Sequence, residues 1–221
     1  MNDRPTTPGQ LLDISGSYWR ACALHAGVKL DLFTLIGDQP LDIGELLEKC
    51  PADADGLERL LNALVSMGLL VKQGQRFANT ETARQYLDLS SDRAVNHMIM
   101  HHHHLVPSWA RLDESVRTGK PEHQPVAELD QERRRSFLLG MSTNAMLVAP
   151  KLVASLDLGG RRHLLDLGGG PGTYAFHFCL RHPKLLATIF DLPASRPFAE
   201  DAIADFQLED RISFVPGDYV H

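Results

Sequence analysis

Cysteine is scarce in this chain, whose 221 residues include only Cys22, Cys50 and Cys179. The three are far apart and form no C-x-x-C pair, which argues against a disulfide framework and against a cysteine-rich zinc site. We therefore expect three buried thiols in a reducing compartment.

Two further signals are missing, an apolar leader and an excess of positive charge. Residues 1–5 lack the apolar stretch of a signal peptide, and no uninterrupted apolar run reaches the ~18 residues of a membrane span. The formal net charge is −6, whereas phosphate binding requires a basic surface. The sequence therefore predicts a cytoplasmic protein that binds neither a membrane nor nucleic acid.

The first part of the chain has the pattern of several helices. Apolar residues recur at three- and four-residue steps over residues 8–36, which predicts helix with one apolar face. Asp42 and Glu45 have the spacing of a capping box at the start of a short helix. Asp53 or Asp55 is expected to begin a further helix that Gly68 ends.

A β-hairpin is predicted directly after these helices. Residues 69–71 and 76–78 are the expected strands, and 72–75 is the expected turn. Helices followed by such a hairpin form a winged helix-turn-helix, a shape that serves either DNA binding or dimerisation.

The charge of the last of these helices decides between those two roles. Its N-terminal half carries Asp53, Asp55 and Glu58 against the single Arg59. A helix that enters the major groove leads with this end, and an acidic end is repelled by phosphate. We therefore predict a dimerisation platform.

The middle of the chain is also predicted to be helical. Ser91 begins a helix that runs to about His104, and Pro107 begins a new turn as its first residue. Three apolar side chains at helical spacing are expected to face inward: Trp109, Leu112 and Val116. After a linker at 122–128, a long helix is predicted from about Asp130 to Leu156.

A histidine run interrupts the first of these helices. His97, His101 and His104 share a helix face at the i, i+4, i+7 spacing, and two histidines at i, i+4 can bind zinc or nickel. No carboxylate or cysteine completes a recognisable ligand set. We therefore predict a polar face that lines a cleft and no bound metal.

The last part of the chain is organised around a glycine-rich turn. Leu164 and Leu165 lead into Asp166, and four glycines follow within positions 168–172. A buried parallel strand that turns sharply into a helix has this pattern, and glycine lets the backbone approach a ligand closely. A second strand at 185–190 ends in Asp191, which is placed to accept hydrogen bonds from both hydroxyls of a ribose.

A third strand is predicted at 211–215, and it leads into Gly217 and Asp218. The nicotinamide fingerprint G-x-G-x-x-G fits poorly, because Thr173 stands where the third glycine should be. No G-x-x-x-x-G-K-[ST] motif is present, which argues against a nucleoside triphosphate. The order of strands, acids and glycines is similar to the S-adenosylmethionine site of a Rossmann-like methyltransferase.

These motifs together resemble the bacterial relatives of the caffeate and hydroxyindole O-methyltransferases, over nearly the whole chain. The resemblance rests on the winged-helix start, Trp109 and the segment 117–121, the helix with Phe137–Met141, and the strand-end motifs at 166–172, 191–193 and 217–219. It implies an α/β protein: a mainly helical winged-helix dimerisation domain (1–90), a helical linker (91–157) and a partial Rossmann-like sheet (158–221).

The resemblance also implies roles for residues around S-adenosylmethionine. Gly168 and Gly170 would pass the backbone close to its methionine portion. Met141 matches a family position that touches the methyl donor and the substrate. Relatives often have a cofactor-contacting serine where this chain has Ala145.

The adenosine end of the cofactor would be bound by residues at the next two strand ends. Asp191 would bind the ribose hydroxyls, and Leu192 would pack against the adenine. Asp218 would accept a hydrogen bond from the adenine amine, with Tyr219 stacked nearby. The pocket for the acceptor would have one wall formed by the helices that carry Met141 and four further residues: His97, His101, His104 and Trp109.

The resemblance implies a homodimer that transfers a methyl group to a hydroxyl of a small molecule by in-line displacement. The family places its catalytic histidine beyond the fourth strand of a sheet of order 3-2-1-4-5-7-6, and this chain supplies only strands 3-2-1. We therefore expect a C-terminally truncated chain that lacks the general base and is inactive, or nearly so, alone. Three alternatives stay open: an S- or N-methyltransferase, a non-catalytic regulator that binds S-adenosylmethionine, and a nicotinamide oxidoreductase.

Overall fold

The computed structural model describes residues 7–122 and 129–219. The chain divides into two compact units, one up to His103 and one from His104. The predicted linker at 122–128 lies almost entirely outside the described residues, and the three-part division at residues 90 and 157 stays a prediction.

The first unit is mainly helical, with one β-hairpin. In chain order its elements are α1 (Pro8–Gly16), α2 (Tyr18–Lys29), α3 (Leu32–Ile36), α4 (Ile43–Lys49), α5 (Ala54–Ser66), β1 (Leu70–Gln73), β2 (Arg76–Asn79) and α6 (Glu81–Tyr86). Helix α7 (Asn96–Trp109) begins in this unit and ends in the second.

Local side-chain bonds determine where these helices begin. Asp42 and Glu45 form the predicted capping box, in which the Glu45 amide donates to Asp42 Oδ1 over 3.0 Å and the Asp42 amide donates to Glu45 Oε2 over 2.8 Å. Asp53 caps α5 by accepting from the amide of Gly56 over 2.8 Å. Each cap satisfies an amide that has no partner within its helix.

The core of the first unit lies between the helices and the hairpin. Its fully buried side chains come from α3, α4, α5 and both strands: Leu32, Phe33, Leu46, Leu61, Leu64, Leu70 and Phe77. Asn79 ties β2 to this core, because its Nδ2 donates to the carbonyls of Phe33 over 2.7 Å and of Gly37 over 3.0 Å.

The hairpin pairs antiparallel, as predicted, but its turn is shorter than expected. Gln73 pairs with Arg76, so only Gly74 and Gln75 connect the strands, and Lys72 and Gln73 belong to β1. Gly74 has a φ of +63°, which a two-residue hairpin loop requires and which glycine adopts readily.

Cations of the hairpin are paired with acids of the same unit. Lys72 Nζ lies 3.0 Å from Glu58 Oε1, and Arg76 Nη2 lies 2.8 Å from Glu45 Oε2. Such pairing weakens the positive field that a wing would need to hold a phosphate backbone. The predicted absence of a nucleic-acid partner stays a prediction.

Four expectations for the helical part were wrong. Cys22 is exposed on α2, because this helix turns His25, Gly27 and Val28 inward instead. Helix α7 begins at Asn96, not at Ser91, because Ser91 Oγ donates to the carbonyl of Gln85 over 2.7 Å and fixes a turn.

The third wrong expectation concerns Pro107, which lies inside α7 and does not begin a new turn. The spacing of the apolar residues after it is helical, but their burial was predicted incorrectly. Trp109 is 67% exposed, and Leu112 and Val116 are also exposed. Periodic spacing indicates that side chains share a face and does not indicate what covers that face.

The second unit is built on a parallel sheet. After α8 (Leu112–Thr118) and α9 (Gln131–Ser155) come β3 (His163–Leu167), α10 (Thr173–Arg181), β4 (Leu186–Asp191), a short 3₁₀ turn (Pro193–Ser195), α11 (Arg196–Asp205) and β5 (Ile212–Pro216). The strands lie in the order β3-β4-β5, all parallel. This is the predicted 3-2-1 arrangement, and the α/β fold class is confirmed.

Helices α10 and α11 pack on the sheet and bury its apolar side chains. The core of this unit includes Phe176, Cys179, Leu185, Ile189, Ala199 and Ile203. Phe176 stacks on Phe206 with ring centroids 5.2 Å apart. This packing fixes the strands whose carboxyl ends form the site described below.

Helix α9 is long and apolar enough to cross a membrane by the criteria of length and composition alone. Polar residues such as Ser142, Thr143 and Asn144 interrupt its apolar sequence, and the helix packs against α10 within the second unit. Core helices of soluble proteins pass the same test. The predicted absence of a membrane partner stays a prediction.

Candidate functional site

A cavity of about 640 Å³ lies at the carboxyl ends of β3 and β4, entirely within the second unit. Parallel strands bring their carboxyl ends to one edge of the sheet, where ligands of α/β proteins bind. The turn 168–172 after β3 and Asp191, the last residue of β4, line the cavity beside each other. Helix α9 supplies much of the remaining wall, including Phe137, Leu138, Met141, Ser142, Asn144, Ala145 and Val148.

The turn after β3 depends on glycine at two places. Gly170 has a φ of +55°, and its amide faces Asp191. Gly172 has a φ of +89°, and a Cβ there would overlap Ile189 Cδ1 and lie 3.0 Å from Phe176 Cζ. Only a residue without a side chain allows the chain to turn this close to β4 and α10.

Asp191 is held by three donors of the chain itself. The amide of Gly170 donates to its Oδ2 over 2.7 Å, and the amide of Leu192 donates to its Oδ1 over 2.7 Å. Ser195 Oγ donates to the same Oδ1 over 2.8 Å. These bonds orient the carboxylate at the cavity before any ligand binds.

Asp166 lies beneath the turn and also lines the cavity. Burial raises the pKa of its carboxyl above the ordinary value, and the nearby Asp191 charge raises it further. The amide of Ala175, which donates to Asp166 Oδ2 over 3.3 Å, acts in the opposite direction. Asp166 and Asp191 are the only charged side chains among the described residues that line this cavity.

One hydrogen bond links α9 to the helix that follows the turn. Ser142 Oγ and Thr173 Oγ1 are 2.8 Å apart, and Thr173 is buried at the first position of α10. The bond fixes the α9 wall relative to the turn within this unit.

Six of the residues predicted to contact the cofactor line this cavity together: Met141, Gly168, Gly170, Asp191, Leu192 and Tyr219. Cε1 and the hydroxyl oxygen of Tyr219 each lie 3.2 Å from the position that a Cβ of Gly168 would occupy. Asp218 is exposed and does not contribute to the lining of the cavity.

The residues predicted for the acceptor wall are not brought together in one described site. His97 and His101 belong to the first unit, and His104 and Trp109 to the second. His104 Nε2 lies 3.9 Å from Glu132 Oε1, and Trp109 lines a separate groove of about 250 Å³ with Leu105 and Leu112. Across residues 7–122 and 129–219, no group of three or more His, Cys, Asp or Glu side chains is placed to hold a metal.

Ser142, Thr173 and Ser195 also belong to the site, and none of them was predicted as a site residue from the sequence. Hydroxyl side chains are common at helix starts and on helix surfaces, so their type and position carry little signal. Ser195 stands directly before α11, where a serine ordinarily caps the helix.

Comparison with known proteins gives a consistent result for both parts of the chain. The model of the O-methyltransferase dimerisation domain matches residues 12–88, and the model of the O-methyltransferase domain matches residues 109–221.

Individual relatives are similar over nearly the whole chain. The tetracenomycin polyketide synthesis 8-O-methyltransferase TcmO of Streptomyces glaucescens is 34% identical, over 96% of this chain and 65% of its own length. The N,N-dimethyltransferase OxyT of Streptomyces rimosus is 31% identical, over 95% of this chain and 64% of its own.

The structure of human N-acetylserotonin methyltransferase in complex with S-adenosylmethionine superposes with a TM-score of 0.83 at 25% identity, covering 100% of this chain and 68% of that one. The chain spans about two thirds of the length of these curated relatives. Since the domain model matches the chain from residue 109 to residue 221, more than half of its length, this protein belongs to the O-methyltransferase family.

Proposed function

We propose that the protein is an S-adenosylmethionine-dependent methyltransferase that methylates a hydroxyl of a small molecule. The observation that carries the proposal is the cavity formed by the glycine turn and by Asp191, with the Gly170 amide 2.7 Å from Asp191 Oδ2. Membership of the O-methyltransferase family supports the same function.

The residues around the cavity fit S-adenosylmethionine in size and charge. Its volume of about 640 Å³ lies in the range of about 300–1,000 Å³ that is common for cofactor sites. Asp191 presents a carboxylate for the ribose hydroxyls, and Gly168 and Gly170 leave room for the methionine portion. When bound, the cofactor would supply an activated methyl group on a positively charged sulfonium.

The charges of the cavity favour this cofactor over a dinucleotide. Its described lining contains Asp166 and Asp191 and no lysine, arginine or histidine. Two carboxylates attract a cationic ligand and oppose the approach of an anionic pyrophosphate. This observation agrees with Thr173 in place of the third glycine of the nicotinamide fingerprint.

The side chains of α9 would perform a second task, which is to position the reacting groups and exclude water. Phe137, Met141 and Val148 present apolar surface to the cavity opposite the glycine turn. Holding two reactants in line can contribute up to about 7–11 kcal/mol of the barrier. We propose Met141 as the residue of this wall that lies nearest the methyl group.

We further propose that the protein is a homodimer. The dimerisation-domain model matches residues 12–88, and α1 and α2 expose several large apolar side chains: Leu11, Leu12, Ile14, Tyr18 and Trp19. Exposed apolar surface of this kind is typical of an interface.

A hydroxyl is the acceptor that the relatives favour, since TcmO is named as an 8-O-methyltransferase. OxyT is named as an N,N-dimethyltransferase, which makes an amine the second candidate acceptor. A non-catalytic regulator has no comparable support.

The first test is a calorimetric titration of the 221-residue protein with S-adenosylhomocysteine, with NAD as the control ligand. We expect micromolar binding of the former alone. The Asp191→Asn variant should bind about 100-fold more weakly, because an amide cannot accept from the ribose and from the three donors of the chain at once. The matched control is Asp201→Asn, on the exposed face of α11, which should bind as the wild type does.

Two results would contradict this proposal. One is binding of NAD as tight as that of S-adenosylhomocysteine, and the other is unchanged affinity in the Asp191→Asn variant.

A further inference from the structure

Ser195 occupies an unusual position for a serine at a helix start. It is the residue before α11, yet its side chain makes no capping bond to that helix. Serine at this position ordinarily accepts from an amide of the first turn, and the bond contributes about 1 kcal/mol to helix stability. Ser195 Oγ instead donates to Asp191 Oδ1 over 2.8 Å.

The surrounding chain fixes this arrangement. Ser195 is only 3% exposed and lines the cavity. Its amide donates to the carbonyl of Leu192 over 2.9 Å, and Pro193 begins the 3₁₀ turn. The hydroxyl is therefore held beside the carboxylate by the backbone as well as by its own bond.

The number of acceptor sites on Asp191 limits how many hydrogen bonds its carboxylate can accept. A carboxylate has about four lone-pair sites, two on each oxygen. Leu192 and Ser195 use both sites of Oδ1, and Gly170 uses one site of Oδ2. One site remains, whereas a ribose diol has two hydroxyls to donate.

The second acceptor is available without any rearrangement. A serine hydroxyl has two lone pairs in addition to its proton, and no donor reaches Ser195 Oγ within the described part of the chain. Because this hydroxyl already donates to a carboxylate, its oxygen is polarised and becomes a stronger acceptor.

We propose that Ser195 is a specificity-determining residue that accepts one ribose hydroxyl of the cofactor while Asp191 Oδ2 accepts the other. The inference rests on the proposed function, because it assumes that a ribose lies at Asp191. In this arrangement the charged Asp191 and the neutral Ser195 each recognise one hydroxyl of the ribose.

The test uses S-adenosylhomocysteine and its 2′-deoxy and 3′-deoxy analogues, titrated into the wild type and into variants. The wild type should bind each analogue at least tenfold more weakly, because each lacks one hydroxyl with its own acceptor. Ser195→Ala should bind S-adenosylhomocysteine about tenfold more weakly and one of the two analogues almost unchanged. The discrimination against that one analogue should therefore collapse.

Two further variants separate this role from simple support of the fold. Ser195→Thr keeps the hydroxyl and should restore the discrimination. Ser213→Ala removes a serine from the exposed face of the neighbouring strand β5 and should leave all three affinities unchanged.

Three outcomes would overturn the inference. Equal weakening of all three ligands in Ser195→Ala would indicate a structural role only. A wild type that loses less than threefold on removal of either hydroxyl would contradict it without any variant. Absence of S-adenosylhomocysteine binding to the wild type would overturn the proposed function as well, which distinguishes that failure from the other two.

Discussion

Asp166 and Asp191 line one cavity but differ in what surrounds their carboxylates. Asp191 accepts from Gly170, Leu192 and Ser195, whereas the amide of Ala175 reaches Asp166 over 3.3 Å. Burial without strong donors disfavours the charged form of a carboxyl group. Burial therefore disfavours the charged form of Asp166.

This difference predicts the pH dependence of stability. Because the pKa of Asp166 is raised in the folded chain, the folded state holds this proton more tightly than the unfolded state does. The stabilisation is complete below the ordinary value of about 3.8 and is lost as the pH rises through the raised pKa.

The variant Asp166→Asn should therefore have a free energy of unfolding higher than that of the wild type at pH 7, by roughly 0.5–2 kcal/mol. The gap should close as the pH falls. Urea unfolding at a series of pH values measures it, with the exposed Asp201→Asn as the control. A gap that grows toward acid would show that this reasoning is wrong.

For single residues, the sequence indicated which side chains stand at the site better than it indicated which hydrogen bonds they form. Asp191 could be singled out because an acid at the end of a strand-like run follows from local pattern alone. Ser195 could not, since a serine before Arg196 and Pro197 has the pattern of an ordinary helix start. Only the folded chain shows that its hydroxyl is directed at Asp191.

Among the elements, the turn from β3 to α10 places the strictest requirement on residue type, because it needs glycine at position 172. Its backbone at Gly172 is left-handed and lies against Ile189 and Phe176. Two independent effects, backbone conformation and steric overlap, therefore oppose any side chain there.

The variant Gly172→Ala should lower the free energy of unfolding of the second unit by about 2–5 kcal/mol, from about 1–2 for the left-handed backbone and about 1–3 for overpacking. The matched control is Gly160→Ala, where φ is +77° and a Cβ meets nothing within 4 Å. That control isolates the backbone contribution. Calorimetric unfolding of the two variants compares them, and equal losses would show that steric overlap contributes nothing.

The helix start at Asp42 was predictable because its capping bonds are local, and the start of α5 was predicted as either Asp53 or Asp55, of which Asp53 forms the cap. The start of α7 was not predictable, because Ser91 bonds backward to Gln85 and forms a turn. In both arrangements a short polar side chain bonds to the backbone within a few residues, and the sequence alone does not determine which carbonyl or amide comes within reach.

For the molecule as a whole, the exposed apolar side chains of α1 and α2 lead us to expect self-association in solution. Trp19 of α2 is 68% exposed, and Leu12 of α1 is also exposed. Neither is explained by packing within the first unit. The sequence predicted the apolar pattern but could not show which part of it the unit itself would bury.

The proposed dimer can be tested by sedimentation velocity. Wild-type protein should sediment as a dimer at micromolar concentration, and Trp19→Asp should weaken association by 2 kcal/mol or more, about 30-fold or more, if this side chain is central to the interface. The control Val71→Asp changes an exposed apolar residue of β1 and should remain dimeric. A wild type that is monomeric at these concentrations would contradict the proposal.

The three donors on Asp191 also have a kinetic consequence. Two of them are the amides of Gly170 and Leu192, which lie in separate loops and share a single carboxylate. Neither amide can exchange its hydrogen with solvent until its bond to that carboxylate opens. Loss of the carboxylate should therefore accelerate hydrogen exchange at the amides of Gly170 and Leu192 together, although the strands before them remain paired. One side chain thus sets the rate at which both loops open.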